Sequence, residues 1–235
     1  MYPVHLERLS KEEIILQVCE AKTAGPQKAA CIAILDNRFV EQIDFEQNAL
    51  EYVPIYAIGD VIAHSASLKH VRITSNGLKS EGAGIVCNAV QENKRIVSLD
   101  LSDNGLDGKL FEKLLNTSTS LKELYLSKNN LIDVGAQALA RGMECLPTLH
   151  VLDLSWNHIR LTGAIAIGSA LAKNRSLKVL NLEWNGLHLE GAKSISIALR
   201  KNKTLEDLDL TCNRLDEHSI SIILSGIEIN KTLST

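Results

Sequence analysis

The stretch Leu149–Ile159, with the sequence LHVLDLSWNHI, decides the fold because the chain repeats it. Five close copies start at Leu68 (LKHVRITSNGL), Ile96 (IVSLDLSDNGL), Leu121 (LKELYLSKNNL), Leu177 (LKVLNLEWNGL) and Leu205 (LEDLDLTCNRL), and a weaker copy, VEQIDFEQNAL, starts at Val40. Successive starts lie 28, 28, 25, 28, 28 and 28 residues apart. Self-similarity at such a period indicates a fold of stacked repeats. We count repeat positions from the first residue of each copy, so Leu149 occupies position 1.

Each copy predicts a short strand with one buried face. Positions 4 and 6 are apolar and alternate with mostly polar residues, which is the period of a half-buried strand. Leu152 and Leu154 are therefore expected to face the core. Position 9 is asparagine in all six close copies: Asn76, Asn104, Asn129, Asn157, Asn185 and Asn213. Because an amide both donates and accepts, this column predicts a structural ladder that satisfies backbone groups where the chain leaves each strand.

The second half of each repeat predicts a helix. Its apolar residues recur at helical spacing and are expected to be buried, as in Ala164, Ile167 and Leu171, then Ala192, Ile195 and Leu199, then Ile220, Ile223 and Ile227. Asparagines lie near the predicted helix ends, where asparagine tolerates the left-handed conformation; they are Asn93, Asn174, Asn202 and Asn230. A helix is wider than a strand, so stacked strand–helix units should curve with the strands inside.

The pattern L-x-x-L-x-L-x-x-N-x-L over residues 40–235 resembles that of leucine-rich repeats. A period of 28 with a helical second half resembles the intracellular ribonuclease-inhibitor type. That group includes ribonuclease inhibitor, the Ran GTPase-activating protein, the sensor regions of NOD-like receptors and the tropomodulin C-terminal region. The resemblance implies an α/β horseshoe-shaped solenoid, with parallel strands on the concave face and helices on the convex face. It also implies a binding surface rather than an enzyme.

Two regions are expected along the chain. Residues 1–38 do not fit the repeat and predict an N-terminal helical cap, in which Ser10 and Glu13 form a capping box that opens a helix. Pro26 can begin a second helix that contains Cys31, Ile32 and Leu35. Residues 39–235 predict a leucine-rich repeat domain of about seven repeats.

Two irregularities interrupt the repeat. The interval that starts at Ile96 is three residues short, so its helix is expected to be shorter or displaced. After Asn230, Lys231-Thr232-Leu233 resembles the start of another strand, and no polar cap follows. Two alternatives stay open for that end: a fragment of a longer chain, or an end that pairs with a partner or with a second copy.

Composition and motifs exclude several classes of function. The formal net charge of −3 argues against binding to nucleic acid or to an anionic membrane. Charges at Glu7, Arg8 and Lys11 exclude a secretory signal, and no apolar run is long enough to span a membrane. The scattered cysteines (Cys19, Cys31, Cys87, Cys145, Cys212) predict free thiols and a cytoplasmic location. The resemblance adds the cilium or cytoskeleton as alternative locations. No metal, cofactor or catalytic motif is recognised.

The outward side of the strands is predicted to be acidic. We define the strand face as repeat positions 3, 5, 7 and 8. It carries two bases, Arg72 and Lys128, and nine acids: Asp44, Glu46, Asp100, Asp103, Glu123, Asp153, Glu183, Asp207 and Asp209. Acids at position 5 alternate with other residues along the stack, which avoids like charges on neighbouring strands. A merely solvated face and a steering surface for a basic partner are both compatible with this pattern.

Both tryptophans of the chain, Trp156 and Trp184, occupy position 8 of consecutive repeats, near Tyr125. They are expected to lie side by side at one edge of the strand layer. Large aromatics on a rigid exposed surface are typical binding hot spots. The alternative is that the two indoles stack on each other and shield the asparagine ladder, and the two roles are compatible.

The leading hypothesis is a non-enzymatic scaffold that binds a partner protein with a basic surface. The predicted contact residues are Trp156, Trp184, Tyr125, Asp100, Asp153, Glu183, Asp207 and Asp209. The resemblance raises two alternatives. One is a GTPase-activating or regulatory protein of the Ran-activator type, and the other is a structural component of cilia or the cytoskeleton, or a piece of a NOD-like sensor.

Overall fold

The computed structural model describes residues 4–10, 13–18, 34, 37–48, 50 and 52–234; for residues 4–18, 52, 53 and 145 it describes the backbone alone. The chain divides into two compact units. The first unit comprises Met1–Leu106 with Ser118–Leu121, and the second comprises Asp107–Thr117 with Lys122–Thr235. Across the described part of the chain, each helix falls short of the length and apolar character that a membrane crossing demands.

The first unit alternates strands with helices after an initial hairpin. Strands β1 and β2 are antiparallel, whereas β2 to β5 pair in parallel, in chain order. Its elements are β1 (Val4–Ser10), β2 (Glu13–Val18), β3 (Val40–Asp44), α1 (Tyr52–His64), β4 (His70–Arg72), α2 (Lys79–Glu92) and β5 (Ser98–Asp100).

The helix predicted from the Ser10 capping box is wrong, because Ser10 ends strand β1 and Glu13 begins strand β2, which pairs with β1. Strand β2 contains Ile14, Ile15 and Val18, and β-branched residues favour a strand over a helix. The second predicted helix, from Pro26, lies outside the described residues, apart from Ile34, which is helical and buried. A cap formed by residues 1–38 stays a prediction.

The second unit repeats one strand–helix module. Strands β6 to β9 pair in parallel with partners 28 residues apart, as in the series Tyr125, Asp153, Asn181 and Asp209. Its elements are α3 (Phe111–Thr117), β6 (Glu123–Tyr125), α4 (Asp133–Cys145), β7 (Val151–Asp153), α5 (Leu161–Lys173), β8 (Val179–Asn181), α6 (His188–Lys201), β9 (Asp207–Asp209) and α7 (Glu217–Ile227). The predicted α/β solenoid of leucine-rich repeats is confirmed. Helix α3 has only 7 residues, so the predicted short helix is confirmed too.

The core lies between strands and helices, as the periodicity predicted. Leu152 and Leu154 of the strand half are fully buried, and so are Ile167 and Leu171 of the helix half. The prediction is wrong for two residues of the last helix, because Ile220 and Ile227 are 48% and 37% exposed. Among the described residues, α7 packs on a helix neighbour, α6, on one side only.

Asparagine ladders connect successive repeats at both ends of the strands. Asn157 at position 9 donates to the carbonyls of Leu126 and Leu154 (2.9 and 3.0 Å) and accepts from the Leu131 N–H (3.1 Å). The predicted position-9 ladder is therefore present. A second ladder, which we call the helix-end ladder, consists of Asn93, Asn174, Asn202 and Asn230, whose amides donate to carbonyls of the preceding repeat.

Three of the helix-end asparagines do not use the left-handed conformation that asparagine tolerates at helix ends. Asn93, Asn174 and Asn202 have φ angles of −86°, −59° and −72°. Their conformation is extended because each side chain folds back to bind the loop that follows it. The Asn174 carboxamide oxygen accepts from the N–H groups of Ser176 and Leu177 at 2.9 and 2.7 Å.

Gly135 permits the close approach that the short third repeat requires. A Cβ on Gly135 in α4 would overlap the carbonyl oxygen of Asp107 and lie 3.0 Å from its carbonyl carbon. We expect Gly135→Ala to lower the free energy of unfolding by about 1–3 kcal/mol, although alanine is the better helix former. Urea unfolding followed by circular dichroism measures this loss.

Gly84 in α2 provides the matched control for Gly135. A Cβ there would meet no heavy atom within 4 Å. We expect Gly84→Ala to stabilise the chain by up to about 1 kcal/mol, because alanine restricts the unfolded chain. Equal changes in stability for the two variants would show that the Gly135 contact is not tight.

Candidate functional site

The residue at position 8 has the same unusual backbone conformation in every repeat. The φ angles lie between 52° and 57° for Gln47, Ser75, Asp103, Lys128, Trp156, Trp184 and Cys212. A positive φ is uncommon for non-glycine residues and a bulky residue there is an outlier. Backbone hydrogen bonds between neighbouring repeats hold this conformation. The N–H of Trp156 donates to the Glu183 carbonyl (2.8 Å), and the N–H of Trp184 donates to the Thr211 carbonyl (2.9 Å).

The two tryptophans stack on each other and remain accessible. Their ring centroids are 4.4 Å apart with an interplanar angle of 20°. Trp156 is 44% exposed and Trp184 is 46% exposed, so the pair offers an open aromatic surface. The predicted stacking is present, and it leaves the indoles free for a second contact. Stacking of this kind contributes about 0.5–1.5 kcal/mol and restricts both side chains before any partner arrives.

The strand face of the second unit carries most of the unpaired acidic charge. Five acids lie there with one base, Lys128: Glu123, Asp153, Glu183, Asp207 and Asp209. All five are partly exposed, and within the second unit's described residues none of them forms an ion pair. Tyr125 pairs in register with Asp153 on the neighbouring strand. The second unit therefore contains seven of the eight predicted contact residues.

Asp100, the eighth predicted residue, belongs to the first unit. There Arg72 lies 2.8 Å from Asp44, 3.1 Å from Glu46 and 3.4 Å from Asp100. Asp44 is 7% exposed; burial raises its pKa, and Arg72 opposes that rise. A single arginine thus contacts three of the acids counted from the sequence, so these acids are less available to a partner than those of the second unit's strand face.

The aspartates at position 5 have a structural task as well. Asp153 and Asp209 each accept a hydrogen bond from the backbone N–H two residues later, at 2.8 Å. Asn181, between them in the sheet, accepts the same bond from Glu183 at 2.9 Å. A neutral amide is sufficient for this turn. The negative charge of Asp153 and Asp209 is therefore not required by the fold.

Sequence reasoning missed two arginines and a histidine beside the tryptophans. His158 and Arg214 occupy position 10, and Arg160 occupies position 12, and all three are exposed. Together with the indoles they line a pocket of about 290 Å³ at the loops that follow β7, β8 and β9. Two of them were visible in the sequence NHIR directly after Trp156. They were overlooked because positions 10 and 12 lie outside the four positions that define the strand face.

The other reactive side chains are dispersed. Across residues 37–48 and 52–234, no three histidine, cysteine or acidic side chains converge as metal ligands would. Cys87 is buried, and burial raises the pKa of its thiol, which keeps it protonated. Cys212 is exposed beside Trp184. The candidate site is thus an aromatic and charged surface.

Comparisons with known proteins agree with the repeat architecture. The family model described as Leucine Rich repeat matches residues 64–84, 117–140, 145–168, 173–196 and 201–216. Among curated protein sequences, none matches the chain.

Two solved structures are similar in fold. The tropomodulin C-terminal domain of Caenorhabditis elegans has a TM-score of 0.52 at 14% identity, covering 62% of this chain and 92% of that one. Actin-binding site 2 of leiomodin-1 has a TM-score of 0.48 at 19% identity, covering 60% of this chain and 87% of that one. At these identities the likeness concerns the fold alone. The matched segments and the strand–helix register together show that this chain is built from leucine-rich repeats, folded as an α/β solenoid.

Proposed function

We propose that this chain is a non-enzymatic scaffold that binds a partner protein through the strand face of its second unit. The observation that carries the proposal is the stacked, half-exposed pair Trp156 and Trp184 beside unpaired acids. We further propose that the repeats are of the ribonuclease-inhibitor type, because an α-helix follows each of the strands β3 to β9 and all repeat intervals but one are 28 residues long.

The tryptophan pair meets the physical requirements of a binding anchor. Aromatic residues dominate interface energetics when they are fixed before binding and desolvated by the partner. Hydrogen bonds between repeats hold the backbone of both residues, and stacking holds both rings. Little side-chain entropy therefore remains to be lost when a partner binds. The exposed halves of the rings provide the apolar area that a partner would cover.

The acids supply charge complementarity for a basic surface. Glu183 and Asp209 flank the tryptophan loops, and no ion pair within the second unit's described residues neutralises either one. Asn181 shows that the fold tolerates a neutral residue at position 5. Unpaired surface charge of one sign steers an oppositely charged partner and increases the rate of association.

Removing both indoles tests the proposal. We expect Trp156→Ala/Trp184→Ala to weaken partner binding by more than about 2 kcal/mol, because the anchor is lost while the ladder stays intact. The partner is first captured from the source cell with the unmodified chain as bait and identified by mass spectrometry. Affinities of both chains for the purified partner are then measured by calorimetry.

Leu161→Ala/Ile197→Ala is the matched control, since Leu161 and Ile197 are each 53% exposed and lie on helices rather than on the strand face. We expect this variant to bind normally. Unchanged affinity of a folded double tryptophan variant would contradict the proposal. A captured GTPase whose hydrolysis the chain accelerates would instead support the Ran-activator alternative, and a captured cytoskeletal filament would support the structural one.

A further inference from the structure

The pocket beside the tryptophans differs in charge from the strand face that it adjoins. Its volume of about 290 Å³ is small, which suits one or two side chains rather than a whole organic ligand. Two arginines and a histidine contribute to its lining, and no carboxylate does. A partner segment that reaches the indoles therefore meets acids on the strand side and cations on the loop side.

The two guanidinium groups are available for a ligand. Arg160 and Arg214 are exposed, and neither forms an ion pair with any described residue of the second unit. Two carboxylates close to these residues accept hydrogen bonds from backbone groups instead. Asp133 accepts from the backbone N–H of Arg160 at 2.8 Å, and Asp216 accepts from the N–H of Ser219 at 2.8 Å.

Gly186 fixes where Arg160 lies. A Cβ on Gly186 would be 3.1 Å from the Cγ of Arg160. The aliphatic stem of Arg160 therefore packs close to the backbone of Gly186, which has no side chain to displace it. The Gly186 N–H donates to the Ile159 carbonyl at 2.9 Å, which anchors that loop to the repeat of Arg160. The guanidinium is thus carried on a packed stem beside the indoles, and its planar fork matches a carboxylate.

We propose that this pocket binds an acidic side chain of the partner protein, with a neighbouring apolar side chain packed on Trp156 and Trp184. This inference rests on the proposed function and specifies its partner: a segment whose acid faces the loops and whose basic residues face the strands. The acids on the strand side and the arginines on the loop side of the tryptophans fix that orientation. In the opposite orientation the partner's acid would face acids and its basic residues would face arginines.

The two tryptophans provide the measurement, because they are the chain's only two and both line the pocket. The probe is an acetylated, amidated peptide with a Lys-Lys-Leu-Phe-Glu core between Gly-Ser flanks, titrated while tryptophan emission is recorded. We expect it to bind about tenfold or more tightly than the same peptide with Gln in place of Glu, because a charged hydrogen bond is lost in the latter.

Two protein variants test the assignment of the arginines. We expect Arg160→Gln/Arg214→Gln to abolish the preference for the Glu peptide while leaving the far-ultraviolet circular dichroism of the free chain unchanged. Lys109→Gln/Lys201→Gln removes the same number of charges from exposed residues outside the pocket and should retain the preference.

Equal affinity for the two peptides, no binding at millimolar peptide, or a preference that survives the arginine variant would each overturn the proposal. Tighter binding of pyrophosphate or of a short polyuridine than of the Glu peptide would overturn it too, as the pocket would then be a phosphate site. If the tryptophan variant loses the captured partner and the arginine variant keeps it, the scaffold proposal stands and this inference fails.

Discussion

Asn202→Ala should lower the free energy of unfolding by about 3–5 kcal/mol, because several buried polar groups would lose their partners. Asn202 is fully buried in the helix-end ladder. Its amide donates to the carbonyls of Leu171 and Asn174 at 2.8 and 3.1 Å. Its oxygen accepts from the N–H groups of Thr204 and Leu205 at 2.9 and 2.8 Å. Urea unfolding followed by circular dichroism measures the loss.

Two further variants show whether the hydrogen bonds cause that loss. Asn202→Asp keeps the accepting oxygen but turns a carboxylate toward two carbonyls, so it should also be strongly destabilising. Asn130→Ala removes an exposed asparagine and should change the stability by less than about 0.5 kcal/mol. An Asn202→Ala variant as stable as Asn130→Ala would mean that water replaces the ladder amide.

Leu180→Ala is expected to cost about 3–5 kcal/mol. The Leu180 side chain at position 4 is fully buried between strand β8 and the helix layer. Truncation there removes apolar contact area and leaves a cavity that a close-packed stack cannot fill by small movements. Thermal unfolding followed by calorimetry measures the change in stability.

Leu208 is the matched control for Leu180, since it pairs with Leu180 on the next strand but is only partly buried. We expect Leu208→Ala to cost about 1–2 kcal/mol, because part of its surface is already in water. The difference between the two losses in stability measures what full burial of the leucine contributes. Equal losses would indicate that Leu208 is enclosed in solution.

The repeat period predicted most of the fold because one local rule is applied several times. Alternation at positions 4 and 6 specified strands whose leucines are buried, and the position-9 asparagines specified their ladder. The prediction failed where a residue's surroundings differ from those of its equivalents. Ile220 has the spacing of a core residue, yet α7 packs on a single helix neighbour among the described residues.

The candidate site was predicted in part. The tryptophan column was visible because equivalent positions of consecutive repeats become neighbours in the sheet. Arg160 and Arg214 were missed because their approach to the indoles depends on the path of the loops after each strand. Residue counting also did not reveal that Arg72 contacts three carboxylates, which leaves the acids of the first unit less available to a partner.

At position 8 the backbone conformation is the same in every repeat, whereas the side chain varies. Seven consecutive repeats hold glutamine, serine, aspartate, lysine, two tryptophans and cysteine there, in one conformation and with φ within a few degrees. All seven side chains are therefore compatible with this left-handed conformation, although its cost is larger for bulky residues. Position 8 is consequently a column whose residues can be exchanged one repeat at a time to rewrite specificity, which makes this solenoid a natural starting point for engineered binders.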